Sequence, residues 1–200
     1  MPTDKAQLTA TKSADTRHDI HELIRKRWSP RAFSEDPIPQ EELEALLEAA
    51  SWAASSYNEQ PWEYFYAHRS NKKGFQLLLS CLKPGNQEWA AQAAVLLVSV
   101  ARTSFSKNDR PNRHYMHDAG AANTTMMLEA ASRDIYGHMM AGFDYEKTED
   151  EFELNMEQEP VCFIALGYLG DPEQLKEPLR SREQTSRNRK PLSEFTTQIL

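Results

Sequence analysis

The clearest period in the chain is helical. From Gln40 to Ala53 the apolar residues Leu43, Leu46, Leu47 and Ala50 fall on one face and glutamates occupy the others, which predicts an amphipathic helix. A shorter repeat of Ile20, Leu23 and Ile24 predicts a helix over His18 to Arg27, ended by Trp28-Ser29-Pro30. Trp62 to His68 alternates and is rich in aromatics, so it reads as a strand. The unbroken apolar run Ala94 to Ala101 reads as a strand covered on both faces, and Val161 to Leu169 as a third strand, stopped by Gly170-Asp171-Pro172. Lys72 to Leu82 and Gln87 to Gln92 are expected to be helical. Tyr115 to Arg133 is a long helix in which Ala119, Gly120, Ala122 and Ala130 let another helix approach closely.

Helices and strands mix here without the regular alternation of a doubly wound fold, so an α+β sandwich is the expected class. The chain offers one core and one domain, spanning 17–200. Residues 1–16 lack a hydrophobic period and read as a mobile N-terminal arm. Arg180 to Leu200, polar and basic as far as Phe195, reads as an arm that wraps a neighbour.

Composition narrows the partners. A formal charge of −7 opposes general binding to nucleic acid or to anionic membranes. The longest apolar run, Ala93 to Ala101, is far too short to span a bilayer, and the polar N-terminus has no apolar signal core. Cys81 and Cys162 have no metal-ligand or disulfide-framework spacing, which suits a reducing, cytoplasmic setting.

Candidate chemistry lies in short polar motifs. Glycine-rich phosphate loops of the GxxxxGK or GxGxxG type are missing, so a phosphorylated cofactor would need side chains to hold it. Arginine forks match phosphate oxygens in pairs, and two arginine clusters occur: Arg27 and Arg31 around Trp28 and Ser29, and Arg187 and Arg189 near the C-terminus. Each cluster alone is also an ordinary solvated patch. The loop Ser55-Ser56-Tyr57-Asn58-Glu59-Gln60-Pro61 sets hydroxyls and amides just before a strand. Its amides can both donate and accept, as a flavin pyrimidine edge requires, though a plain polar turn has the same composition.

Taken in order, the RxSxR element at Arg27 to Arg31, the SSxNxQPW loop at Ser55 to Trp62, the segment His138 to Asp144 and the terminal RxRKPL run resemble the FMN-dependent nitroreductase family. The resemblance spans Arg27 to about Leu192. It implies an α-β-α sandwich with a central, mostly antiparallel sheet, a homodimer, and a C-terminal arm wrapping the partner subunit.

It further implies that Arg27 and Ser29, with the Trp28 backbone, grip the FMN phosphate and ribityl chain, and that Arg187 and Arg189 close on the phosphate. Arg31 would lie by the pyrimidine, where a cation stabilises the charge of reduced flavin. Ser55, Ser56, Asn58 and Gln60 would reach the ring from the second subunit, and Met139, Met140, Ala141 and Gly142 would line its face or edge. NADH or NADPH would be the electron donor and a nitro compound, quinone or activated alkene the small-molecule substrate, used in a ping-pong cycle. The substrate pocket would draw on Phe105 to His114 and Tyr145 to Met156. Many relatives have glycines where this chain has Asp134 and Tyr136, and proline where it has Ala54, so those loops take their own path.

Two other readings compete. A flavin-binding storage or sensing protein would share the cofactor residues. A metal-dependent hydrolase would use His114, His117 and Asp118, but leaves the arginines and amides unexplained; no metal is expected. His138 is the candidate proton donor, weighed against a locally hydrogen-bonded histidine. Cys81 reads as a structural thiol.

Overall fold

The computed structural model describes residues 5–199. Residues 1–4, part of the expected mobile arm, lie outside the described residues. Eight α-helices are present among them: α1 Lys5–Lys12, α2 Glu22–Lys26, α3 Gln40–Ser51, α4 Lys72–Cys81, α5 Pro84–Ala90, α6 Tyr115–Ser132, α7 Tyr145–Glu151 and α8 Leu179–Gln184. Four strands, β1 Trp62–His68, β2 Val95–Arg102, β3 Tyr136–Met140 and β4 Gln158–Gly167, form one sheet in the order β1-β2-β4-β3. Every pairing is antiparallel.

The long apolar run of β2 is explained by what covers it. Val95 and Leu97 point to one face, where they meet Leu43, Leu46 and Ala50 of α3 and Ala122, Met126 and Ala130 of α6. Leu96, Val98 and Val100 point to the other, against Phe75 and Leu78 of α4 and Trp89 and Ala90 of α5. Because successive side chains alternate in direction, a strand with helices on both sides is apolar at every position. The result is the expected three-layer α-β-α sandwich. Each side of the sheet holds one thiol, Cys81 of α4 on the α4–α5 side and Cys162 of β4 on the α3–α6 side, both buried and unbridged.

Several element boundaries differ from expectation for identifiable reasons. The first predicted helix shrinks to α2 because the His21 ring caps it, accepting from the Leu23 amide, so helix starts only at Glu22. Pro84, fixed in φ and lacking an N–H, opens α5 three residues before the expected Gln87. β4 begins at Gln158 and carries Pro160 at an irregularity, where Ser99 pairs with Cys162 and Val100 with Pro160, so Val161 is extra. A proline is tolerated in a sheet at such a bulge, and it concealed the start of the strand.

Four elements carried no sequence expectation. β3 is short and contains Gly137, α7 is polar and capped by the Asp144 side chain, and α8 lies in the segment read as an arm. The fourth, α1, falls within residues read as aperiodic, yet its Leu8 joins Trp28, Tyr136 and Leu169 in a small cluster of its own. Among the described residues no helix is long and apolar enough to cross a membrane.

Candidate functional site

Strand register divides the polar motifs between two ends of the sheet. His68, Val95, Leu166 and Tyr136 lie at one end; Trp62, Ala101 and Glu159 lie at the other. The first arginine motif belongs to the former end, where Trp28 packs edge-on against Tyr136 with ring centroids 6.2 Å apart. Residues 27–33 leave α2 in an extended path, and Phe33 bridges Leu169 beyond β4.

The terminal arginine motif folds back onto that path. Arg187 donates one guanidinium nitrogen to the Arg27 carbonyl and another to that of Arg25, both at 2.6 Å. Arg27, Arg187 and Arg189 then line one cavity of about 780 Å³, together with Arg17, His18, Lys190 and a single carboxylate residue, Asp15. Arg27 reaches the Ser29 hydroxyl at 3.4 Å. Burial lowers the Arg27 pKa, and so does the neighbouring Arg189 cation. The same two causes act on Arg187, burial first and then Arg27 and Arg189. Among the described residues no carboxylate lies within ion-pair distance of Arg27, Arg187 or Arg189. The Arg187 Nε is buried with no hydrogen-bond partner, as is Trp28 Nε1. Cations thus outnumber the one lining carboxylate in a partly desolvated cavity, and none of these three arginines is ion-paired among the described residues, an arrangement suited to a multiply charged anion.

Arg31, in the same loop as Arg27, has its guanidinium carbon 5.8 Å from the Trp89 ring centre. Its backbone is fixed by Glu183, whose Oε1 accepts from the Arg31 amide at 2.6 Å and the Ala32 amide at 2.9 Å. Glu183 is only 1% exposed. Burial raises its pKa, opposed first by those two amides and then by the Arg31 and Lys12 charges. Neither Glu183 nor Trp89 was a sequence candidate. A glutamate in a polar run reads as solvated, and nothing in its spacing reports that α8 packs inward.

His138 also borders Arg31. Its Nδ1 is 3.0 Å from the Pro30 carbonyl and its ring lies 4.7 Å from that of Trp89. Burial, reinforced by Arg31, drives its pKa down to about 4. Near neutral pH the ring is therefore uncharged, Nδ1–H donates to Pro30, and Nε2 is a bare acceptor. This geometry supports the locally bonded reading over that of a proton donor.

Beyond His138, Met139 is exposed on the strand, but the Met140 side chain enters the core, leaving only its backbone free for a ligand. The Gly142 carbonyl is occupied, accepting from the Lys83 amide at 2.9 Å and Asn86 Nδ2 at 3.0 Å. A Cβ on Gly142 would meet Asn86 at 2.6 Å, so this glycine permits the close approach of α5. Ala141 lies exposed between the two.

The hydroxyl and amide loop sits at the far end of the sheet. Ser55 accepts from the Gln60 amide through its hydroxyl, and the Ser56 amide donates to Asp118 Oδ2 at 2.9 Å. Tyr57, Asn58 and Gln60 all have positive φ, a tightly folded path that presents Asn58 and Gln60 outward. Beside them, Tyr57 packs on Phe105 and Glu59 accepts from the Ser106 amide, so the Phe105 to His114 segment joins this end. Just past the other expected substrate segment, Tyr145 to Met156, the Thr103 amide donates to the Glu157 carbonyl. Within one chain, then, the arginines and the amide loop are not brought together.

Asp118, buried in α6, spends its second oxygen on the exposed His117 ring at 3.1 Å. It is a hydrogen-bond acceptor that anchors the loop. Among the described residues no group of three or more His, Cys, Asp or Glu side chains is arranged to hold a metal ion.

Comparison with known proteins is consistent with this layout. The model of the nitroreductase family matches residues 24–82 and 71–168. A solved structure described as an oxidoreductase containing FMN is 31% identical, with 92% of this chain and 93% of that chain covered and a TM-score of 0.85. An uncharacterized 15.4 kDa protein of Mycolicibacterium smegmatis is 35% identical over 58% of this chain and 76% of its own length. A Streptococcus pyogenes protein provisionally named an NAD(P)H nitroreductase is 21% identical over 74% of this chain and 88% of its own. The family match runs from α2 to the end of β4, through the whole sheet and both helical layers. On this ground the chain belongs to the nitroreductase family.

Proposed function

We propose that the protein is an FMN-dependent oxidoreductase that draws reducing equivalents from NADH or NADPH and passes them to nitro compounds, quinones or related small electrophiles. The observation that carries this reading is the group of Arg27, Arg187 and Arg189 around one cavity with no carboxylate partner among the described residues. A phosphate monoester would pair with these unpaired arginines, and the unpartnered Arg187 Nε offers a buried donor for it. The FMN named for the 31% identical structure and the donor named for the Streptococcus pyogenes relative support the same choice.

FMN, when bound, would supply reversible two-electron redox chemistry, so that donor and acceptor use one site in turn, as in a ping-pong cycle. Arg27 and Ser29 would hold the phosphate side, with Arg187 and Arg189 closing from the C-terminal segment. Arg31, its backbone fixed by Glu183, would offer a cation to negative charge developing on the ring. The backbone along Met139 to Gly142 would border the ring, and the His138 Nε2 would be an acceptor there.

Because Ser55, Ser56, Asn58 and Gln60 lie at the opposite end of the sheet, they would serve a partner subunit's ring. Trp52 and Tyr57, 82% and 93% exposed near this loop, supply the apolar area for such a homodimer. The exposed C-terminal residues beyond α8 would extend over the partner. The chain would act as one cytoplasmic domain over 17–200.

Purified protein should be yellow, with about one FMN per chain released by heat. Addition of NADH or NADPH without oxygen should bleach it, and a quinone should restore the colour. Colourless protein that fails to take up FMN would refute the reading. Pigmented protein inert to both donors would identify a storage or sensing protein instead.

A further inference from the structure

Helix α1 lies upstream of the first residue matched by the family, Ile24, and its contacts converge on the arginine loop. Lys12, the last residue of α1, is only 5% exposed. Its ammonium donates to the carbonyls of Arg182, at 2.9 Å, and Thr185, at 2.5 Å, at the C-terminal end of α8. The same group sits 4.8 Å from the centre of the Trp28 ring. A cation on a helix C-terminus and on an indole face is doubly favourable, and a buried ammonium needs such partners.

The segment that follows is tied as well, since the Ala14 amide donates to the Arg25 carbonyl at 2.9 Å. That carbonyl also receives Arg187. Leu8 packs with Trp28, and Glu183, one residue from Arg182, holds the Arg31 and Ala32 amides. Lys12 therefore touches both supports of residues 27–32: the Trp28 ring beneath the loop and the α8 end that fixes its far side. The charges acting on Lys12 after burial itself are those of Glu183, Arg187 and Arg31, all members of this assembly.

We propose that Lys12 is a positioning residue for the arginine cluster: by fastening α1 to α8 and to Trp28 it holds Arg27 and Ser29 in the shape that receives the cofactor phosphate and Arg31 in its place toward the ring. Docking of α1 and binding of FMN are then coupled, and coupling is reciprocal: whatever α1 does for FMN affinity, FMN must do for α1 docking. The proposal rests on the FMN reading above.

The test uses the full-length protein freed of pigment. Hydrogen exchange is followed with and without added FMN, alongside equilibrium FMN titration of wild type and Lys12→Met, which keeps the aliphatic stem but removes the charge. FMN should slow exchange across 8–14 as well as 27–32, and Lys12→Met should bind FMN at least about fivefold more weakly. A helix serving stability alone would lower the unfolding midpoint in the variant without responding to FMN in the wild type. If FMN binds and protects 27–32 while exchange over 8–14 is unchanged, Lys12 does not position the site. That result needs no variant, so a misfolded Lys12→Met leaves it decisive. If wild type takes up no FMN, it is the functional reading that fails.

Discussion

At the scale of single residues, burial without compensation distinguishes Arg27 from the ion-paired surface arginines. Arg133 ion-pairs with both Glu42 and Glu129, whereas Arg27 has only the Ser29 hydroxyl and the repulsion of its neighbours. Arg27→Ala should therefore weaken FMN binding by about 1.5–3 kcal/mol, roughly ten- to hundredfold. Arg133→Ala should leave it unchanged, and equal affinities in the two variants would move the phosphate elsewhere. His138 offers a second test. Its imidazole titrates near 6.5 when unfolded and at about 4 when folded, so between those values the unfolded chain binds more protons. The contribution of the neutral ring is complete above about 6.5 and is lost as pH falls through 4, to the order of 2 kcal/mol after allowance for partial exposure. Urea unfolding at pH 7 and pH 4.5 should show wild type losing more stability than His138→Asn. Parallel losses would place the ring in ordinary solvent.

Among the elements, the turn after β4 governs the arginine loop. Gly170 donates its amide to the Ala32 carbonyl at 2.9 Å, and a Cβ there would collide with the Phe33 backbone carbonyl. Backbone gives way less readily than a side-chain tip, so Gly170→Ala should destabilise the fold by about 1–3 kcal/mol. It should also loosen FMN, since Ala32 adjoins Arg31; a denaturation midpoint equal to wild type would show the contact to be slack. How well an element could be read in sequence follows from what packs on it. The helix α3 and the strand β1 announced themselves by a regular apolar period, and β2 by an unbroken apolar run covered on both faces. α8 did not, because its buried residue is Glu183, and α1 did not, because it buries one leucine and a lysine. The arginines and amides of the site were legible as motifs. Their supports, Glu183, Trp89 and Lys12, were not, since a carboxylate or ammonium signals burial only through partners distant in sequence.

For the molecule as a whole, the separation of the two motif groups along the sheet makes assembly the central expectation. One chain presents arginines at one end and outward amides at the other, so if both serve one cofactor, as proposed, a complete site would draw on two chains. Light scattering over a dilution series should find a dimer whose dissociation is suppressed by FMN, because a ligand held by both chains stabilises the assembled state. A monomer that binds FMN as tightly as the dimer would overturn the sharing of Asn58 and Gln60, while leaving the arginine assignment intact.

The placement of one cysteine on each side of the sheet gives the fold two internal clocks. Burial raises both thiols, Cys81 against the countering contacts of Thr148 and Lys147, and Cys162 up to about 12, so neither offers reactive thiolate while its layer is closed. An alkylating reagent can then reach Cys81 only when the α4–α5 side opens and Cys162 only when the α3–α6 side does. Mass spectrometry of the two labelled peptides against time would report whether the sandwich breathes one slice at a time or parts all at once. With Cys162→Ala or Cys81→Ala, a fluorescent reagent would follow either slice alone.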